Sequence, residues 1–137
     1  MTDNLEVKIR HLEMIQAVIT RMATNSFMLK GWAVTLVSGI FVLSSKEADK
    51  LFFLIAYVPV ILFWLLDTYY LQLERRFRAF YNQIRSSEET DLSFAIHAKK
   101  PDITDKTTYP RCFLSVSESC FYLPMALLIA AVIYIVK

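Results

Sequence analysis

Glycine occurs only twice in the 137 residues, histidine twice, cysteine twice and proline four times. Each scarcity removes a class of chemistry. Gly31 and Gly39 alone cannot build a Gly-rich phosphate loop, whose backbone must approach the anion without intervening side chains. His11 and His97 stand in separate segments, so there is no HExxH pair, and no GxSxG presents a nucleophilic serine. Cys112 and Cys120 lie eight residues apart. On one helix that is roughly 12 Å of axial rise, too far for a disulfide, and no Cys/His metal spacing is present. They read as two ordinary thiols in apolar surroundings. Glu88, Glu89 and Asp91 read as a solvated loop face, and Ser115, Ser117, Glu118 and Ser119 as polar residues where an apolar run begins. The expectation is a protein that is not an enzyme and uses no metal, cofactor or small-molecule substrate. Asp3, Glu6 and Glu13, without a short apolar core beside them, also argue against a secretory signal.

Apolar length is what the chain has in abundance, at 55% hydrophobic residues. FMLKGWAVTLVSGIFVLSS from Phe27 and LFFLIAYVPVILFWLLDTYYL from Leu51 are each about 20 residues long, enough to cross a hydrocarbon core of roughly 30 Å. Only Lys46-Glu47-Ala48-Asp49-Lys50 separates them, so they predict a transmembrane hairpin. Leu51 to Leu66 contains no charge, unlike the one-sided pattern of a soluble amphipathic helix. A third run, from 113 to 137 and densest from Phe121 to Val136, predicts a third span, with Pro124 near its entry where helices tolerate proline. Pro59 predicts a bend one turn before it in the second span.

The fold class expected is an all-α membrane protein of three transmembrane helices. Residues 1–26 form a cytoplasmic N-terminal helix with apolar positions at Leu5, Ile9, Leu12, Ile15, Ile19 and Met22. Their mixed charges favour a stalk packed on protein over a helix lying on lipid. The hairpin occupies 27–71, as spans 27–45 and 51–71, followed by a basic juxtamembrane helix over 72–86, a cytoplasmic loop over 87–112 and the third span over 113–137. Lys and Arg concentrate before the first span and between the second and third. The positive-inside rule therefore puts the N-terminus in the cytoplasm and the C-terminus outside.

Four groups of residues stand out. Lys30 and Asp67 fall at similar depth on antiparallel spans, where a charge is costly unless paired or hydrated. An ion pair or shared aqueous cavity is one reading, and snorkelling of Lys30 to the interface is the other. With Thr35 and Ser38 they are the candidates for a polar intramembrane path. Gly31 and Gly39, with Ala126 and Ala130, carry the small-residue spacing that lets helices approach closely in lipid. Trp32, Trp64, Tyr69 and Tyr70 fall where belt aromatics sit. Arg75, Arg76, Arg78 and Arg85, beside Phe77, Phe80 and Tyr81, combine forked phosphate donors with rings on which bases can stack. Arg21, Lys8 and Arg10 add positive charge from the N-terminal helix. The same arginines also satisfy the topology rule and suit anionic headgroups, so an anionic ligand and a purely lipid role both remain open.

RMATNSFMLKGWAVTLVSGIF and FWLLDTYYLQLERRFRAFYNQIR together resemble the small multi-spanning membrane effectors of bacterial anti-phage defence, most of all the Hailong-system membrane effectors. The likeness covers about residues 15–85 and is carried by hydrophobic and juxtamembrane strings rather than by a catalytic motif. It implies a homo-oligomer, a tetramer in that family, in the bacterial inner membrane. It also implies an ion channel held closed by a single-stranded oligodeoxyadenylate, the product of a partner nucleotidyltransferase. Loss of that DNA during infection would open the channel, depolarise the membrane and arrest growth. No ligand residue is carried over from the family. The alternatives are a non-conducting anchor that recruits a soluble partner, and an effector activated by a cyclic oligonucleotide.

Overall fold

The computed structural model describes residues 2–44, 50–86 and 108–135, and among them only Ala56, Thr108, Leu114 and Ser115 lie outside helices. The 45–49 link and the greater part of the 87–112 loop, with Glu88, Glu89, Asp91 and His97, lie outside the described residues. Helix α1 runs unbroken over Thr2–Ser44, because no proline precedes Pro59 and its two glycines cost little where neighbouring turns are good helix formers. At 1.5 Å per residue its 43 residues extend about 65 Å, twice a hydrocarbon core, so the N-terminal helix and first span are one rod.

The second span is divided. Helix α2 covers Lys50–Ile55 and α3 covers Tyr57–Ser86, with Ala56 between them donating to the Phe53 carbonyl at 3.2 Å. Pro59 is the cause: it has no amide hydrogen, and its ring crowds the carbonyl four residues back, that of Ile55. Helix α4, Tyr109–Phe113, then lies against α3 and leads through Leu114 and Ser115 into α5, Val116–Ile135. The Ser115 carbonyl accepts the Ser119 amide at 2.9 Å and so opens α5. Pro124 therefore stands inside α5, beyond the entry turn where proline is tolerated, and the Cys120 carbonyl has no amide partner at that position. Three helical stretches, Leu5–Leu43, Phe53–Ser86 and Val116–Ile135, are long and apolar enough to cross a membrane.

Phe41 meets Phe53 edge-on at 5.7 Å near the hairpin link, and Lys30 meets Asp67 farther along, so α1 and α3 pack antiparallel. Ala33 and Val37 of α1, Ala56, Val60 of α3, and Tyr122 and Ile129 of α5 form the buried core. Ile15, Ile19 and Met22 continue the same face of α1 and are also buried. Leu5 and Ile9 belong to that stripe by spacing, yet they are exposed. The antiparallel register explains the difference: α3 ends at Ser86, level with about residue 11 of α1, so among the described residues no helix lies beside the first two turns.

Candidate functional site

The polar centre of the molecule lies at the end of the three spans away from the hairpin link. Each helix turns one ionisable side chain toward it from its inward face. On α1, Lys30 shares that face with Ala33 and Val37; on α3, Asp67 follows Val60 and Trp64; on α5, Glu118 precedes Tyr122, Met125 and Ile129 at three- and four-residue steps. Lys30 Nζ donates to Asp67 Oδ2 and, at 3.2 Å, to both Glu118 Oε1 and Ser26 Oγ. The Tyr122 hydroxyl donates to the same Asp67 oxygen at 3.1 Å. Asp67, Glu118 and Tyr122 are fully buried, while the Lys30 side chain keeps 17% exposure. The ammonium also lies 5.9 Å and 6.0 Å from the ring centroids of Phe121 and Tyr122, at the outer edge of cation–π range.

This arrangement takes one of the two readings of Lys30: it is paired inside the helix bundle rather than extended to an interface. Removing charges from water is costly, and it is offset only where attraction is close and the remaining polar atoms are hydrogen-bonded. One ammonium here serves two carboxylates, and Asp67 Oδ1 and Glu118 Oε2 are buried with no hydrogen-bond partner among the described residues.

Glu118 is the residue that sequence reasoning missed. It sits among Ser115, Ser117 and Ser119, which makes the segment look like a solvated lead into the span. The available signal was its register: four residues before Tyr122 and eleven before Ile129, it belongs to the buried stripe of α5. Trp64 also departs from expectation. It is engaged inside the bundle, stacking on Phe113 at 4.3 Å and on Tyr122 at 5.7 Å, and its Nε1 donates to the Phe113 carbonyl at 3.3 Å. Tyr109 reinforces that contact by donating to the Leu65 carbonyl at 3.0 Å.

The four candidates for an intramembrane path separate into two pairs. Lys30 and Asp67 face inward, whereas Thr35 and Ser38 are exposed on the opposite side of α1. Gly31 and Gly39 share the outward side, and a Cβ added to either would meet nothing within 4 Å. Within one chain the close approach is made by Ala33 instead, which is fully buried. Ala126 does lie at an interface, its carbonyl accepting the Tyr57 hydroxyl at 3.0 Å, but Ala130 is exposed. At 100° per residue, Thr20, Thr24, Gly31, Thr35, Ser38 and Gly39 fall on a face about 100° wide. The hydroxyls of Thr20, Thr24 and Thr35 each donate to the carbonyl four residues back, at 2.9–3.0 Å, which satisfies the proton and leaves the oxygen a free acceptor.

The basic residues do not converge on one pocket among the described residues. Arg78 is paired with Glu74 at 2.8 Å, Arg75 Nη1 approaches Cys112 Sγ at 3.6 Å, and Arg76 buries its Nε without a hydrogen-bond partner. Arg10, Arg21 and Arg85 are exposed, and Lys8 and Tyr81 are half-buried. By the antiparallel register Arg21 is level with Arg76, so the two helices present positive charge at one height. Cys112 is buried and Cys120 exposed, both as free thiols. Set against protein-family models, characterised proteins and solved structures, the chain has no match.

Proposed function

We propose that this chain is a pore-forming membrane effector of anti-phage defence. Several copies, four by the family resemblance, assemble around a conducting path in the bacterial inner membrane. The observation that carries this reading is the outward face of α1. Thr20, Thr24, Gly31, Thr35, Ser38 and Gly39 bring hydroxyls and bare backbone to a surface that, among the described residues, no helix covers at the glycines. Three helices enclose no channel by themselves, and their own polar centre is filled by Lys30, Asp67 and Glu118. A path therefore runs between copies, with Thr35 and Ser38 toward it and Lys30 and Asp67 away from it.

With the N-terminus inside, the first half of α1 and the end of α3 project into the cytoplasm. Arg21 and Arg75, Arg76, Arg78 and Arg85 of several copies would then ring one axis and sum their fields. A single-stranded oligodeoxyadenylate bound there bridges copies and favours the closed state by its differential affinity; its loss releases the gate. The anchor reading, in which the cytoplasmic helices dock a soluble partner, draws on the exposed Leu5, Ile9 and Met14.

Ion flux from liposomes holding the purified protein, with and without short oligodeoxyadenylates, separates the two. Flux that the DNA suppresses, with suppression weakening as salt rises, is the expected result. No flux from correctly inserted protein under either condition leaves the anchor.

A further inference from the structure

The polar centre lacks one positive charge. Lys30 brings +1 and the carboxylates of Asp67 and Glu118 bring −2, all within the bundle and with both acids fully buried. The groups facing the centre from each packed helix are few. Helix α1 supplies Lys30 and Ser26; α3 supplies Asp67, with the Thr68 hydroxyl committed to its own Trp64 carbonyl at 2.7 Å; α5 supplies Glu118 and Tyr122. Arg75, the next cation along α3, is directed to Cys112 of α4. No second cation reaches the centre among the described residues.

Two observations independent of the charge count point to what is missing. Asp67 Oδ1 and Glu118 Oε2 are buried oxygens without a donor, although such atoms are nearly always hydrogen-bonded. The two carboxyl groups also converge on one ammonium, Asp67 Oδ2 and Glu118 Oε1 both accepting from Lys30 Nζ. We propose that Asp67 and Glu118 together form a binding site for a single proton, which lies on either acid while the other pairs with Lys30. With the proton bound, the centre carries no net charge, and one orphaned oxygen becomes a donor. When the proton leaves to water, a net negative charge remains among three apolar helices. The bundle must then admit water or loosen α5 from α1 and α3. Two carboxyls competing for one cation behave as a coupled pair, so neither alone owns the proton. This holds whether or not the chain conducts ions.

Infrared spectroscopy of the full-length protein, in a detergent without ester carbonyls, reads the proton directly. The expected result is a protonated-carboxyl stretch in the wild type at neutral pH that shifts in D2O and disappears on alkalinisation. E118Q and D67N should each abolish the band, because the remaining acid then has Lys30 to itself. K30M should raise it to about twice the wild-type intensity, since neither acid retains a cation. A merely structural ion cluster would give no band in any of these. Absence of the band from the wild type, which needs no variant to fold, overturns the proposal, as does a band that survives in either E118Q or D67N.

Discussion

Lys30→Met destabilises the folded bundle by about 3–5 kcal/mol, the cost of leaving buried acids without the cation they were folded around. Among the described residues the side chain it removes is the only positive charge paired with Asp67 and Glu118, and it also holds Ser26 at 3.2 Å. Methionine fills similar volume, so the loss reports charge rather than a cavity. The triple variant K30M/D67N/E118Q should recover most of the loss, because neutral groups of the same shape have no comparable demand for pairing. Reversible denaturant titration followed by circular dichroism measures both. A triple variant no more stable than K30M would mean that the pairing does not hold the three spans together.

Trp64→Ala is the second large effect, about 3 kcal/mol, the lower end of the usual cost of truncating a core aromatic because the indole is partly buried. The indole stands between Phe113 and Tyr122, nearly parallel to both at 11° and 9°, and its hydrogen bond to the Phe113 carbonyl fixes α4 against α3. Truncation opens a gap beside Tyr122, whose hydroxyl contacts Asp67. The expected consequence is local as well as global: Cys112, fully buried in the native protein, becomes reactive to a thiol reagent at the rate of exposed Cys120. Trp64→Phe, which keeps a stacked ring and loses only the donor, should lose about 1 kcal/mol. Slow Cys112 labelling in W64A would contradict this role for the indole.

The two effects have a common origin. A bilayer supplies no hydrophobic drive for helix association, so specificity must come from packing and polar contacts. Here it comes from the stacked rings around Trp64 and the charge cluster beside them, while Leu127, Leu128, Leu62, Leu65 and similar side chains remain exposed on the outer surface, as lipid allows. Consolidating the polar groups inside the bundle leaves the hydroxyl and glycine face of α1 as the polar surface available to another copy.

The helices were legible in the sequence because long apolar runs have few other meanings. Pro59 correctly marked the division of the second span, since the missing amide and the clash act wherever the ring falls in a helix. The depth match between Lys30 and Asp67 was also readable, because two antiparallel helices joined by a short link leave little freedom of register. Glu118 was hidden by its serine neighbours, which made a residue of the buried stripe look like part of a solvated lead into the span. The side of α1 to which Gly31 and Gly39 belong could not be read either. Small-residue spacing says that a helix can approach, not which helix, and Ala33 on the opposite face took that role within the chain. The arginines of α3 share no common geometry: Arg78 is paired with Glu74 four residues before it, a pairing the spacing allows, whereas Arg85 has Tyr81 at that position and is exposed.

Single-cysteine blockade in liposomes tests most directly where the conducting path lies. Thr35→Cys, Ser38→Cys and Val37→Cys are compared in a Cys112→Ser/Cys120→Ser background, using a membrane-impermeant charged thiol reagent during measured flux. Block of T35C and S38C, with V37C unaffected because its position is buried against α3 and α5, is the expected result. Block confined to V37C, or equal insensitivity of all three in a conducting protein, would contradict a pore built on the outward face of α1.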